Sequence, residues 1–282
     1  MSNDIQIIEA RPATLLGRMK SAWLYRGYWP ILFKEITMRK FRNTVLGWWW
    51  LILRPLIPVV AATITFTYFV AIDTGDLPYG IFFLASYIVW NLLEALLMFM
   101  SRTMMWTRNI MKKMYLPKLL IPLASVGPPL VEMAITIVAL FVLAGFYYFT
   151  QDVFYIEFEL KFLLFPLCLI LAMILALSIG MVVGVIALIM KDIIYSIRYV
   201  MQLLIFVTPV IYPLSSLPEN AQWAFIAFNP MTGIVETCRW SLTGFGDWSP
   251  ILLLVSTVQV LLIAFVCLTF FSRADSFLSD MV

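Results

Sequence analysis

Long apolar stretches separated by short polar ones dominate the chain from about residue 48 onward. A helix needs roughly 20 apolar residues to cross a hydrocarbon core about 30 Å thick. Six stretches meet that requirement: Trp48 to Ile72, Tyr79 to Met100, Leu119 to Phe149, Phe162 to Met190, Ile193 to about Tyr212, and Ile251 to Phe271. The third and fourth exceed one bilayer thickness, which calls for tilt or a protruding end. Upstream, Trp29, Leu32, Phe33 and Ile36 fall at i, i+3, i+4 and i+7 and share one helix face. Met38, Phe41 and Val45 share a different face, so the apolar stripe shifts near Thr37. Together with Arg39, Lys40 and Arg42 this reads as a basic amphipathic helix at the membrane surface. The expected organisation is a short segment over 1–28, an interface helix over 29–47, a six-span domain over 48–271 and a tail over 272–282.

Residues 213–250 fit neither a span nor an ordinary loop. Trp223, Phe225, Ile226 and Phe228 precede Asn229-Pro230, and Ile234, Val235, Trp240 and Leu242 follow it. The pattern predicts two short helices joined by a turn at Asn229-Pro230, too short to cross. Non-helical backbone at membrane depth is tolerated only against protein or a water-filled cavity. The pair is therefore read as a re-entrant outer gate, with Trp223, Phe225, Phe228, Asn229 and Pro230 as its candidate residues. An interfacial hairpin anchored by its tryptophans is the other reading. The fold class is thus all-α and polytopic: six spans, an N-terminal amphipathic interface helix, and re-entrant half-helices between spans five and six.

Composition supports the membrane class. Hydrophobic residues make up 63% of the 282 and charged residues 12%, against about 45–50% and about 25% in a soluble domain. The basic residues then set the orientation. With both termini cytoplasmic, 17 of the 19 lysines and arginines face inward, and only Lys161 and Arg239 face outward. The opposite arrangement reverses that count and violates the positive-inside rule. The localisation expected is the cytoplasmic (inner) membrane. A net charge of +3 is too small to point to nucleic acid. The first 28 residues carry Arg11, Arg18, Lys20 and Arg26 without an apolar run and cleavage site, so no cleavable signal peptide is expected.

Candidate chemistry is sparse. Histidine is absent, and Cys168, Cys238 and Cys267 are scattered, which suits neither a zinc site nor a disulfide framework. No G-x-x-x-x-G-K-[ST] phosphate loop occurs, so nucleotide binding by a P-loop is not expected of this chain. Glu94 and Glu132 lie well inside predicted spans, where a charge is costly and usually functional. Each could relay protons or serve as a hydrogen-bonded packing residue. Two isolated carboxylates make a weak relay, and packing is the favoured reading. Arg54 and Arg102 read as snorkelling anchors. Tryptophans near span ends fit an interfacial belt. Deeper aromatics, among them Tyr68, Tyr87, Trp90, Tyr199 and Phe206, could line a pathway. Flat rings stack on the C–H faces of a pyranose without fixing one register, which would let a sugar chain slide.

Three segments carry a resemblance. They are KEITMRKFRNTVLGWWWLILRPL with Thr44, Leu46, Gly47, Trp50 and Pro55; NIMKKMYLPKLLIPLASV with Lys112, Lys113, Pro117 and Pro122; and TPVIYPLSSLPENAQWAFIAFNPMTGIVETCRW with Pro209, Pro218, Asn229, Pro230 and Arg239. Their order and spacing against six spans resemble the permease subunits of type-2 ABC transporters, in the polysaccharide and O-antigen export branch, with teichoic acid and capsule exporters as relatives. The resemblance covers the chain after about residue 28. Arg54, just before Pro55, is an unusual charge at that place. The resemblance implies a homodimer that works with two copies of a cytoplasmic ATPase, which would bind ATP and Mg. It also implies a lipid-linked polysaccharide moved through a channel between protomers. Lys34, Arg39, Lys40, Arg42, Lys112 and Lys113 would then form the ATPase-docking surface, and the chain itself would be no enzyme. A second copy rests on the resemblance alone, because no strong G-x-x-x-G signal marks an interface. The alternatives are a permease of the same type for drugs or lipids, an ion-coupled secondary transporter using Glu94 and Glu132, and a membrane-embedded enzyme, the last hard to sustain without a catalytic cluster.

Overall fold

The computed structural model describes residues 23–41, 49–70, 72–106, 120–246 and 248–281, and no strand occurs among them. The chain is a polytopic all-α membrane protein. Helix α1 (Trp29–Phe41) is followed by α2 (Trp49–Ile64), which continues as a π-helical turn over Thr65–Val70. Then come α3 (Tyr79–Trp106), the single turn α4 (Leu120–Ala124), α5 (Gly127–Gln151), α6 (Leu164–Ile189) and α7 (Ile193–Val207). The half-helices α8 (Glu219–Phe228) and α9 (Pro230–Thr243) precede the last helix, α10 (Pro250–Met281).

Among the described residues, five segments are long and apolar enough to cross a membrane: Ile52–Val70, Tyr79–Trp106, Leu120–Gln151, Leu160–Ile189 and Pro250–Ala274. The fifth stretch expected from the sequence, 193–212, is shorter than its hydropathy suggests. Helix α7 ends at Val207, giving about 22 Å at 1.5 Å per residue. Thr208 is extended (φ −112°, ψ 137°) because it precedes Pro209, and a residue before proline is pushed out of the helical region. The third stretch is also interrupted. Pro128 and Pro129 cannot donate to the carbonyls of Ala124 and Ser125, so α4 stops and α5 starts afresh with prolines in its first turn.

Helix α3 is the axis of the molecule. Of its 28 residues, 24 are buried. It packs against α6 above all, then α5, α9 and α2. The α3–α6 crossing depends on two glycines. A Cβ at Gly180 would lie 3.0 Å from the Met100 sulfur, and one at Gly184 would lie 2.7 Å from Met104 Cγ. Their spacing is G-x-x-x-G, and it serves a contact within the chain. Gly233 does the same for α9 and α10: an added Cβ would collide with the backbone oxygen of Leu252 and with Ser256. Helix α1 lies on α4 and α5, where Phe33 and Thr37 close over Gly127.

Candidate functional site: a polar and aromatic cavity between three helices

A cavity of about 410 Å³ opens between α2, α3 and α7. Helix α2 gives it Arg54 and Pro58; α3 gives Tyr87, Trp90, Asn91, Glu94 and Ala95; α7 gives Met201, Gln202, Ile205 and Phe206. The α3 residues 87, 90, 91, 94 and 95 recur at helical spacing, so one stripe of α3 forms a wall. Two prolines, Pro55 and Pro58, sit inside α2. Pro58 has no N–H for the Arg54 carbonyl, which loosens the helix where the cavity begins. Few residues of α3 escape full burial, and Glu94 is one of them.

A polar network ties the wall to α5. Arg54 Nη1 donates to Glu132 Oε1 at 3.2 Å, joining a half-exposed guanidinium to a buried carboxylate. Asn91 Nδ2 donates to Thr136 Oγ1 at 3.3 Å, and Thr136 donates to the Glu132 carbonyl at 2.9 Å. Burying a charge is tolerated when it is paired and hydrogen-bonded. Arg54 thereby gains a partner that its position beside Pro55 did not suggest.

Of the five aromatics expected to line a pathway, Tyr87, Trp90 and Phe206 line this cavity. Tyr68 and Tyr199 lie outside it on exposed faces of the π-helical turn and of α7. The two intramembrane carboxylates separate in role: Glu94 faces the cavity, and Glu132 holds Arg54.

The hairpin of half-helices adjoins the end of α7. Asn229 is its pivot. Its Oδ1 accepts from Met231 N at 3.0 Å and caps α9, with Pro230 at the first helical position. Its Nδ2 donates to Thr208 Oγ1 at 2.8 Å, just past α7. Gln259 of α10 donates to the carbonyls of Ile226 and Ala227 and so satisfies the end of α8. Phe225 packs beside Leu214, Ile226 and Leu252, whereas Trp223 and Phe228 are exposed. Helix α9 is sunk into the core by Arg239, a fully buried residue whose sequence position pointed only to the outer side. It pairs with Glu236, donates to Ser86 Oγ and to the Pro209 carbonyl at 3.1 Å each, and lies 4.3 Å over the Phe82 ring. Glu236 in turn accepts from Leu214 N at 2.9 Å.

Among the expected docking residues, Lys34 is exposed on α1. Arg42, Lys112 and Lys113 and the side chains of Arg39 and Lys40 lie outside the described residues. No group of three His, Cys, Asp or Glu side chains that could hold a metal occurs among the described residues.

Long apolar helices around a polar, aromatic cavity, with a half-helix hairpin beside it, have the anatomy of a membrane permease. Sequence comparison gives the family. The model of the ABC-2 type transporter family matches residues 29–243, and the chain belongs to that family. It is similar to the O-antigen export system permease protein RfbA of Myxococcus xanthus, 22% identical over 224 residues that cover 79% of this chain and 83% of the relative. The chain is accordingly a type-2 ABC permease and a multi-pass membrane protein.

Proposed function

We propose that the chain is the membrane subunit of an ATP-driven exporter that carries a lipid-linked, O-antigen-like polysaccharide across the cytoplasmic membrane. The observation that carries this reading is the wall of the cavity, where three rings, two amides and a carboxylate stand together. Rings offer a sugar chain sliding contact, and the polar groups accept and donate to its hydroxyls without enclosing it. The similarity to an O-antigen export permease supports the same substrate class.

In this reading the chain has six spans and both termini in the cytoplasm. It forms a homodimer, and two copies of a cytoplasmic ATPase supply ATP and Mg chemistry. The apolar faces of α2 and α7 flank the cavity and are exposed at Ile57, Val60, Tyr199 and Leu203. A second copy would cover them and turn two half-sites into a channel. The basic segment around Lys112 and Lys113 and the amphipathic α1 would receive the ATPase. Because α1 closes on Gly127 at the start of α5, a push on α1 has a rigid path into the spans. The outer hairpin would gate the channel.

Inverted membrane vesicles holding the chain and its ATPase test the function. ATP should move lipid-linked polysaccharide into the lumen, where an added glycosidase cannot reach it. Polymer that stays fully sensitive with ATP present, while a lipid or drug substrate is taken up, would assign the permease to another cargo. Lys112→Glu with Lys113→Glu should lower the yield of co-purified ATPase, and an unchanged, active complex would remove the docking assignment.

A further inference from the structure

The cavity is lined by charged side chains as well as aromatic ones. Two charged residues line it, Arg54 and Glu94. Arg54 is engaged by Glu132 at 3.2 Å, so its charge is offset from the α5 side. Glu94 accepts a hydrogen bond from the Trp90 side chain on the same wall. Arg54, across the cavity, and Arg198 are both close enough to feel its charge; Arg198 sits one turn earlier on α7 and is not on the wall. Trp90 takes one acceptor position of the carboxylate, and the carboxylate lines the cavity with its others, among Tyr87, Trp90, Asn91 and Gln202. Asn91 is turned by its donation to Thr136, which leaves its side-chain oxygen free to accept.

We propose that this cavity holds uncharged sugar units of the transported chain and that Glu94 is the residue that discriminates neutral from acidic units; the inference rests on the polysaccharide reading above. A carboxylate has four acceptor positions and can take two neighbouring hydroxyls of one pyranose. Bonds to an ionised acceptor are shorter and stronger than neutral ones. The same charge repels a uronic acid carboxylate, and like charges set against each other are a recognised means of excluding the wrong partner. A volume of about 410 Å³ suits a short stretch of a sugar chain held in passing. The rings provide register-free contact, and Glu94 provides the chemical preference. Glu94 is a specificity-determining residue and takes no part in nucleotide chemistry.

The test uses the full chain in lipid nanodiscs and two probes of equal length. One is a neutral hexasaccharide of hexoses; the other has uronic acids at alternate units. Titration calorimetry on the wild type should show the neutral probe binding roughly tenfold more tightly. Glu94→Gln keeps the shape and one acceptor oxygen but loses the charge, and should bring the two affinities within about twofold. Glu94→Asp keeps the charge and should retain most of the preference, which separates charge from general damage to the fold. A preference unchanged in Glu94→Gln overturns the role of Glu94 and leaves the polysaccharide reading standing. Failure of both probes to bind the wild type overturns the cavity as a sugar site, and the vesicle assay above then decides the polysaccharide reading independently.

Discussion

The two sides of helix α3 are built on different terms. Toward α6 and α9 its surface is closed: glycines at 180 and 184 bring α6 within reach of Met100 and Met104, and Arg239 bridges α9 to Ser86 and to the Pro209 carbonyl. Toward α2 and α7 it is open. Those helices expose apolar faces, leave a cavity between them, and meet α3 through polar groups spaced along one stripe. Close packing transmits displacement without absorbing it, whereas a loosely filled wall can change shape at low cost. The closed side is a scaffold, and under the proposed function the open side would receive substrate and a second copy. Stability should therefore respond strongly to changes on the first side, and transport to changes on the second.

Arg239→Ala should have the largest effect on stability. It leaves the Glu236 carboxylate in a largely buried setting without its partner, a loss of about 3–5 kcal/mol. Thermal unfolding in detergent measures it, and a near-normal midpoint would mean that α9 is not held by this residue. Gly233→Ala comes next. The added methyl meets the backbone of Leu252, which cannot rotate away, so about 2–3 kcal/mol should be lost by overpacking. Arg54→Ala should cost less, about 1–2 kcal/mol, because Arg54 is half exposed although Glu132 is buried. Adding Glu132→Gln should recover part of that loss, and strict additivity of the two would show that the pair is not coupled. At the small end, Trp223→Ala with Phe228→Ala should stay within about 0.5 kcal/mol of wild type, as both are exposed. Those two changes should alter ion leak or export if the hairpin is a gate. Unchanged leak and export would favour the interfacial hairpin.

What the sequence made legible follows from how local each signal is. The half-helix pair with its turn at Asn229-Pro230 was readable because capping and proline preferences act within a few residues. The length of α7 was not, since hydropathy continues through Pro209 while the backbone does not. Prolines 128 and 129 were visible, but the stop at α4 they impose depends on which carbonyls lose their donors. The partner of Arg54 is 78 residues away in the chain, and no local pattern reports it. Gly180 and Gly184 carried a spacing that could have been read as a close helix contact, and it lies between α6 and α3. Among the aromatics, composition alone could not separate Tyr87, Trp90 and Phe206, which share the cavity, from Tyr68 and Tyr199, which do not.

Under the proposed function this permease works only as part of an ATP-driven complex. Affinity purification of the chain in mild detergent, followed by identification of its companions and an assay of ATP hydrolysis, tests it most directly. A cytoplasmic ABC ATPase in equal amount and vanadate-sensitive turnover are expected. A chain that purifies alone, lacks ATP turnover and still transports its substrate in vesicles without ATP would contradict it.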